Sequence, residues 1–219
     1  MITIGLTGGI GSGKSTVSAA LVERGASLVD ADAIVRELQQ PGEPVFDRIV
    51  ERFGAEVVGD DGLLDRPAIA GIVFGDADAL ADLNRIVHPA VGEEIRRRLA
   101  ELAATDRIVV LDIPLLAEGA KDGTPRYPVS GTLVVDVPVE VQVARLVEHR
   151  GFDEADARAR IANQASREDR LALADRVIDN GGLVDALAPQ IDDVWAWATG
   201  LDPVDLPLPD PTSDPQEQP

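Results

Sequence analysis

A lysine follows a glycine-rich loop near the start of the chain, in the segment GGIGSGKST at residues 8–16. The chain contains eighteen arginines but only two lysines, so the choice of lysine at this point is unusual. The segment matches the pattern G-x-x-x-x-G-K-[ST], in which backbone N–H groups cradle the phosphates of a nucleotide. Glycines leave no Cβ between those N–H groups and an anion. The loop is therefore predicted to bind phosphate.

Lys14 and Ser15 have the chemistry that such a loop requires. Lysine carries a compact charge that can follow a phosphoryl group during transfer, whereas the planar fork of arginine is too wide. The serine hydroxyl can bind Mg²⁺, and the N-terminus of the following helix adds partial positive charge. Because a strand-like run precedes the loop and a helical pattern follows it, a glycine turn that binds nothing is disfavoured. The predicted phosphate-binding residues are Gly8, Gly9, Gly11, Ser12, Gly13, Lys14, Ser15 and Thr16.

Two other classes of nucleotide-binding protein lack their required residues in this chain. A dinucleotide-binding dehydrogenase needs G-x-G-x-x-G, and a match that starts at Gly9 places Lys14 where the third glycine belongs. A regulatory GTPase needs Asn-Lys-x-Asp to recognise guanine, and no asparagine of this chain precedes a lysine. The loop is therefore assigned to an enzyme that uses ATP.

Five strand-like runs alternate with helical patterns and must position this loop. The runs are ITIGLT, ASLVDAD, RIVVLDIP, GTLVVDVP and DRVIDN. This alternation predicts an α/β fold with a doubly wound, five-stranded parallel sheet. Residues 43–104 are helical throughout and are predicted to form an inserted lobe. The nucleotide-binding core then comprises residues 1–42 and 105–200.

Composition excludes several classes of protein. Hydrophobic residues make up 45% of the chain and aromatic residues only 3%, which suits a parallel sheet of aliphatic side chains covered by helices. The formal charge of −19 argues against a nucleic-acid partner. With no cysteine, no secretory signal and no apolar run of about 18 residues, we expect a cytoplasmic protein with no membrane partner. Residues 201–219 hold six prolines and five acidic residues and are predicted to be a disordered tail.

Two aspartates are placed to act beside the loop. Asp32 closes the second strand-like run, where a carboxylate can orient an acceptor hydroxyl and take its proton. Alternatively, Asp32 caps a helix that begins at Ala33. Asp112 has the same placement on the next core strand, where it can assist Mg²⁺ through water or contact the acceptor.

Arginines crowd the segment that follows the fourth strand-like run. Arg145 lies near the expected nucleotide crevice, where its guanidinium can stack on adenine or clamp phosphate, and Arg150 is a further candidate. Arg158 or Arg160, and Arg170, are interpreted as surface residues paired with nearby acids. Asn180 follows the last strand, where it either contacts adenine or forms part of a plain turn. Pro89 is expected to break the helical stretch after His88.

At this point the sequence resembles the bacterial dephospho-coenzyme A kinases. The resemblance rests on the blocks LTGGIGSGKST, VDADAIVRELQQPG, LNRIVHPAV, VVLDIPLLAE, RLVEHRGFDEADARARIANQ and ADRVIDNGG, which occur in that family's order. It implies a three-layer P-loop kinase fold and transfer of the γ-phosphate of ATP to the ribose 3′-hydroxyl of dephospho-CoA, with Mg²⁺. It also implies that residues 43–104 are a helical acceptor-binding lobe and that residues from about 151 to 167 are a helical lid.

The resemblance also implies roles for individual residues. Lys14, Asp32 and Arg145 fall on positions that the family uses for phosphate, acceptor hydroxyl and transition-state charge. His88 is implied as a hinge or an acceptor contact, although a histidine at a helix end is equally consistent with the pattern. Pro114 and Leu115 of the IPLL block complete the predicted acceptor residues.

Two segments depart from the family, and other functions stay open. Residues 119–131 are longer and more polar than the family's link, and the acidic tail has no family counterpart. The alternative enzyme is a P-loop kinase for a nucleoside, nucleotide or shikimate-like acceptor. The alternative outside enzymes is a nucleotide-dependent interaction protein that works through its tail. We expect a monomer or a weak homo-oligomer.

Overall fold

The computed structural model describes residues 1–105, 107–113, 116, 127–183 and 186–204. Five strands of this part form one sheet. They are β1 (Ile2–Gly8), β2 (Ser27–Asp30), β3 (Ile108–Asp112), β4 (Gly131–Asp136) and β5 (Arg176–Asp179). The helices are α1 (Lys14–Glu23), α2 (Ala31–Leu38), α3 (Pro44–Phe53), α4 (Arg66–Val73), α5 (Ala77–Leu102), α6 (Val139–Arg150), α7 (Glu154–Ala162), α8 (Arg167–Ala172) and α9 (Leu187–Thr199), with a 3₁₀ turn at Ala55–Val57.

The sheet is parallel throughout, in the order β2-β3-β1-β4-β5, which confirms the predicted fold class. β1 lies in the centre, paired with β3 on one side and β4 on the other. The loop that follows β1 therefore opens at the carboxyl edge of the sheet, between β3 and β4, which both end in aspartate. Every residue of β3 and β4 is buried, which agrees with strands covered by helices on both faces.

The core of the sheet is aliphatic, as the composition predicts. Ile4, Leu6 and Leu133 are fully buried in a cluster that α1 and α9 cover with Leu21 and Ile191. Removing this much apolar side chain from water, at about 25 cal/mol per Å², is the main force that holds the phosphate loop on a rigid base.

The chain divides into two compact units. The first consists of Met1–Asp30 and Leu99–Pro219, and the second of Ala31–Arg98. The sequence placed the inserted lobe at residues 43–104, so the observed helical unit begins and ends earlier. The early start follows from α2, which contacts α3 inside the second unit.

The end of the second strand differs from its prediction. β2 ends at Asp30 and α2 begins at Ala31, so Asp32 neither closes the strand nor caps a helix that starts at Ala33. Both Asp30 and Asp32 are followed by alanine, and aspartate favours the position before a helix. The helix uses the earlier of the two possible starts, which leaves Asp32 exposed in its first turn.

The expected break at Pro89 is wrong, because α5 runs through it. Proline in a helix interior removes one hydrogen bond and costs about 3 kcal/mol. Val87, Val91 and Ile95 are buried at intervals of four residues on either side of it, while Pro89 itself is exposed. Packing on both sides outweighs the local cost. No helix of the described residues is long and apolar enough to cross a membrane.

Candidate active site

The phosphate loop connects the end of β1 to the start of α1. Gly11 and Gly13 have φ angles of 75° and 84°, in the left-handed region that glycine adopts without strain. The Ser12 N–H donates to the Gly9 carbonyl at 3.0 Å, which closes a turn inside the loop. No side chain of the described residues caps α1, which begins after Gly13. The Thr16 N–H of its first turn donates to the Gly13 carbonyl at 3.0 Å, and the earlier N–H groups of Lys14 and Ser15 remain available to an anion.

Side chains from α6 and from the end of β5 bind the loop through its carbonyl groups. Arg145 donates from Nη1 to the Gly11 and Ser12 carbonyls, at 3.4 and 3.3 Å, and from Nη2 to the Asn180 carbonyl at 2.7 Å. Asn180 donates from Nδ2 to the Ser12 carbonyl at 2.7 Å. Both predicted nucleotide residues thus contact the loop. In this arrangement they hold its backbone, and their predicted contacts with phosphate and adenine stay predictions.

Lys14 forms an ion pair with Asp112 at the end of β3. The Asp112 side chain is 5% exposed and that of Lys14 is 17% exposed, so the pair is largely withdrawn from water. A buried carboxylate needs such a partner, because an unpaired charge in this position is costly. The tertiary structure therefore links the predicted catalytic residue Lys14 to Asp112, a predicted metal and acceptor residue that lies 98 positions away.

The predicted metal ligands are Ser15 and Asp112. Ser15 is exposed in the first turn of α1, so its hydroxyl is open to a ligand of the loop. Among the described residues, no group of three or more His, Cys, Asp or Glu side chains could hold a metal ion. Mg²⁺ at a kinase site typically uses one or two protein groups and the phosphates of the nucleotide. The two residues fit this mode of binding, and the metal role stays a prediction.

The arginines of the predicted lid have different environments. Arg158 pairs with Glu140 at 2.8 Å and with Glu154 at 2.9 Å, which confirms a surface ion pair. Arg167 instead makes a bidentate contact with Asp136 at the end of β4, with bonds of 2.6–3.1 Å. Arg150 is exposed at the end of α6.

Arg170 corrects the sequence-based interpretation. It was expected on a solvated surface but is only 6% exposed, and its guanidinium donates to the Ala165 carbonyl. Nη2 of Arg170 lies 2.9 Å from the position that a Cβ on Gly9 would occupy. This guanidinium therefore packs against the phosphate loop. Helical spacing to nearby acids predicted an exposed side chain, whereas this side chain is buried against the loop.

Apart from Asp112 in the first unit, the predicted acceptor residues lie in the second unit or outside the described residues. Asp32 is exposed in α2 and His88 is exposed in α5, so both are open to a ligand. Pro114 and Leu115 fall outside the described residues, as do residues 119–126 and 205–219, which include most of the departing link and of the tail. The roles of these residues stay predictions.

The second unit also contains a cleft of about 450 Å³. Its lining residues are Arg48, Glu51, Arg52, Asp82, Arg85 and Ile86. Arg52 and Arg85 both donate to the Asp82 carboxylate, at 2.6 and 2.5 Å. These hydrogen bonds, that of Arg52 above all, lower the pKa of Asp82. One carboxylate thus holds two guanidinium groups at the same cleft.

Known proteins are similar in sequence to this chain over most of its length. The family model described as dephospho-CoA kinase matches residues 2–185. A dephospho-CoA kinase of Streptomyces avermitilis is 52% identical over 196 residues, which are 90% of this chain and 93% of that protein. The chain belongs to the dephospho-CoA kinase family.

Solved structures share the fold of this chain. A crystal structure from Thermus thermophilus is 36% identical, has a TM-score of 0.74, and matches over 91% of this chain and 98% of that one. The dephospho-CoA kinase from Campylobacter jejuni has a TM-score of 0.66 over 90% of this chain and 96% of its own, at 21% identity. The second likeness supports the fold alone. The resemblance inferred from the sequence blocks is confirmed.

Sequence reasoning missed several residues that contact the loop of this family member. Gln142 and Gln164 hydrogen-bond to Ile10, and Arg170 packs against Gly9. Glutamine does not titrate and forms part of no motif in this chain, so nothing in its spacing distinguished these two from ordinary helix residues. Only their position against the loop reveals them.

Proposed function

We propose that this chain transfers the γ-phosphate of ATP to the 3′-hydroxyl of dephospho-CoA, producing coenzyme A and ADP. The observation that carries the proposal is the family match over residues 2–185, which includes the whole phosphate loop, Asp32 and Asp112. The matched relative is covered over 93% of its length, so the match is not confined to the nucleotide-binding core.

In the proposed reaction the loop binds the phosphates through its N–H groups and the first turn of α1. Lys14 starts from its ion pair with Asp112 and follows the transferred group. Arg145, whose guanidinium contacts the loop, neutralises the charge that develops on that group. Arg150 and Asn180 complete the nucleotide site. Positioning and electrostatic stabilisation account for most of the acceleration in phosphoryl transfer.

Ser15 and Asp112 would hold Mg²⁺ in this proposal. The exposed Ser15 hydroxyl supplies one oxygen ligand, and Asp112 assists through water. When bound, the metal neutralises charge on the β- and γ-phosphates. Asp112 therefore has two candidate partners, the Lys14 ammonium and the hydrated metal.

The acceptor is proposed to bind through the helical lobe. Asp32 orients the 3′-hydroxyl and takes its proton as the oxygen bonds to the γ-phosphorus and the bond to the β-phosphate breaks. His88, Pro114 and Leu115 contact the rest of the acceptor. The lid at residues 151–167 excludes water and thereby limits hydrolysis of ATP.

The arginine cleft of the second unit supports an anionic acceptor. The protein carries a net charge of −19, yet three arginines and two acids line this cleft. Guanidinium groups bind phosphate oxygens through paired N–H donors. Asp82 holds Arg52 and Arg85 in place, so less side-chain freedom is lost when a diphosphate binds. Dephospho-CoA carries such a diphosphate.

A coupled ADP-release assay tests the proposal. Dephospho-CoA, CMP, dTMP and pantetheine are compared as acceptors, and we expect ADP release with dephospho-CoA alone. Lys14→Ala should abolish turnover while the far-UV circular dichroism stays unchanged. A preference for CMP or dTMP would favour a nucleotide kinase, and ADP release with none of them would favour a nucleotide-dependent interaction protein.

Two further expectations belong to this proposal. We place the enzyme in the cytoplasm and expect a monomer or a weak homo-oligomer. Light scattering of the purified chain over a range of concentrations measures the oligomeric state directly, and a dimer stable at nanomolar concentration would contradict the expectation.

A further inference from the structure

Two glutamine side chains hold a single residue of the phosphate loop, Ile10. The Ile10 N–H donates to Oε1 of Gln164 at 2.8 Å, and the Ile10 carbonyl accepts from Nε2 of Gln142 at 2.7 Å. Gln142 lies in α6, whereas Gln164 follows the end of α7. Both polar groups of this residue are therefore satisfied by side chains from two different helical elements.

The Ile10 side chain belongs to the same two elements. It packs against a buried cluster of Val143, Leu146 and Ala157, together with the partly buried Phe152 and Ile161. These residues come from α6, from α7 and from the turn between them. The tip of the loop is thus anchored on α6 and α7 by apolar packing and by two hydrogen bonds.

Gln142 is a buried polar residue with a specific reason for its position. It is 1% exposed, and burying an amide without hydrogen bonds costs about 1–3 kcal/mol. Its Nε2 bonds to Ile10, whereas its Oε1 has no partner among the described residues. An aliphatic side chain would fill this space without that cost. The hydrogen bond from Gln142 to the loop is therefore the observed interaction that explains a glutamine, and not an aliphatic residue, at this position.

The hydrogen bonds also determine which way the loop faces. Gln142, Arg145 and Asn180 donate to the carbonyl groups of residues 10, 11 and 12. A peptide directs its N–H opposite to its carbonyl. With these three successive carbonyl groups held by side chains, the N–H groups of Gly11 and Gly13 are directed to the other side and are available to a phosphate, whereas the Ser12 N–H closes the turn with the Gly9 carbonyl. Such preorganisation lowers the cost of binding.

We propose that Gln142 and Gln164 are positioning residues that hold the phosphate loop in its binding conformation, and that Gln164 couples this conformation to the α7 segment. The proposal rests on the proposed function only in that the loop binds the phosphates of ATP. Neither glutamine touches the reacting atoms. Movement of α7 that breaks the bond between Gln164 and Ile10 loosens the loop and weakens nucleotide binding.

The test compares Gln164→Met with Gln164→Glu in the full chain. Methionine keeps the length of the side chain but removes the acceptor, whereas glutamate keeps an oxygen that can accept from the Ile10 N–H. Gln39→Met is the matched control, because Gln39 is also partly buried and accepts one hydrogen bond, from Arg66 in the second unit. Gln142→Met removes the contact with the Ile10 carbonyl.

Two measurements are made on each variant. Nuclear magnetic resonance gives the hydrogen-exchange rate of the Ile10 amide without nucleotide, and calorimetry gives the Kd for ATP. We expect Gln164→Met to exchange the Ile10 amide at least about fivefold faster and to bind ATP about fivefold more weakly, as expected for one lost hydrogen bond. Gln164→Glu should keep the slow exchange, and Gln39→Met should match the wild type in both measurements. The KM for the acceptor should not change.

Unchanged Ile10 exchange in Gln164→Met would overturn the proposal, as would an unchanged Kd for ATP in both Gln164→Met and Gln142→Met. If Gln142→Met fails to fold, the Gln164 variants decide the outcome alone. A wild-type chain that binds ATP but does not phosphorylate dephospho-CoA would refute the proposed function and leave this inference standing.

Discussion

Replacing Gly9 with alanine tests how tightly the phosphate loop is packed. A Cβ at this position would lie 2.3 Å from Nε2 of Gln142 and 2.9 Å from Nη2 of Arg170. Its φ lies outside the left-handed region, so alanine adds no backbone strain and the effect is purely steric. Gln142 and Arg170 are 1% and 6% exposed, so neither can move freely into solvent.

The magnitude follows from two contributions. Displacing Gln142 breaks its 2.7 Å bond with the Ile10 carbonyl, and a buried polar group left unsatisfied costs about 1–3 kcal/mol. Overpacking a close-packed site adds about 1–3 kcal/mol. We therefore expect Gly9→Ala to lower the free energy of unfolding by at least about 2 kcal/mol.

Urea unfolding followed by tryptophan fluorescence measures this change, because Trp195 and Trp197 of α9 pack against the core of the same unit. Gly182→Ala is the matched control, since a Cβ there meets nothing within 4 Å and its φ is ordinary. Gln142→Ala removes the side chain that the new Cβ would displace. Adding Gly9→Ala to a Gln142→Ala background should therefore lower the free energy of unfolding by less than it does in the wild type. A Gly9→Ala chain within about 0.5 kcal/mol of the wild type would refute the reasoning.

Three further predictions concern charge pairs and the helix through Pro89. A double-mutant cycle of Asp112→Asn and Lys14→Met, measured by urea unfolding, should show a coupling energy of about 1–3 kcal/mol, and zero coupling would contradict the buried pair. Hydrogen bonds from Arg97, with those from Arg98, lower the pKa of Glu94 to about 2. The ionised Glu94 therefore stabilises the folded protein above pH 4.5, and this contribution is lost as the pH falls towards 2. The difference in free energy of unfolding between Glu94→Gln and the wild type should therefore shrink as the pH falls through that window, as measured by unfolding followed by circular dichroism. A difference that stays constant would count against the lowered pKa of Glu94. Pro89→Ala should raise the free energy of unfolding by about 1–3 kcal/mol because it restores a helix N–H, and calorimetric melting that shows no gain would mean that the proline is matched to its site.

Local chemistry made much of the fold predictable from the sequence. Four of the five strands described, β2 to β5, are short apolar runs that end in aspartate, and apolar runs between helical patterns predict a parallel sheet. The errors occurred where two local preferences competed. Asp30 and Asp32 are both suitable for the start of α2, and the proline of α5 was outweighed by buried residues on both sides.

The sequence by itself determined that this protein binds phosphate and which family it resembles, because the loop pattern is contiguous and its chemistry is local. The tertiary structure decided which residues hold that loop. Lys14 pairs with Asp112, and Gln142 and Gln164 hold Ile10, over separations of 98 to 154 positions. The physical reason is that the strand order β2-β3-β1-β4-β5 brings β3 and β4, with the helices that follow β4, to the edge where β1 ends. Such contacts depend on how distant elements pack, and no spacing within one segment encodes them.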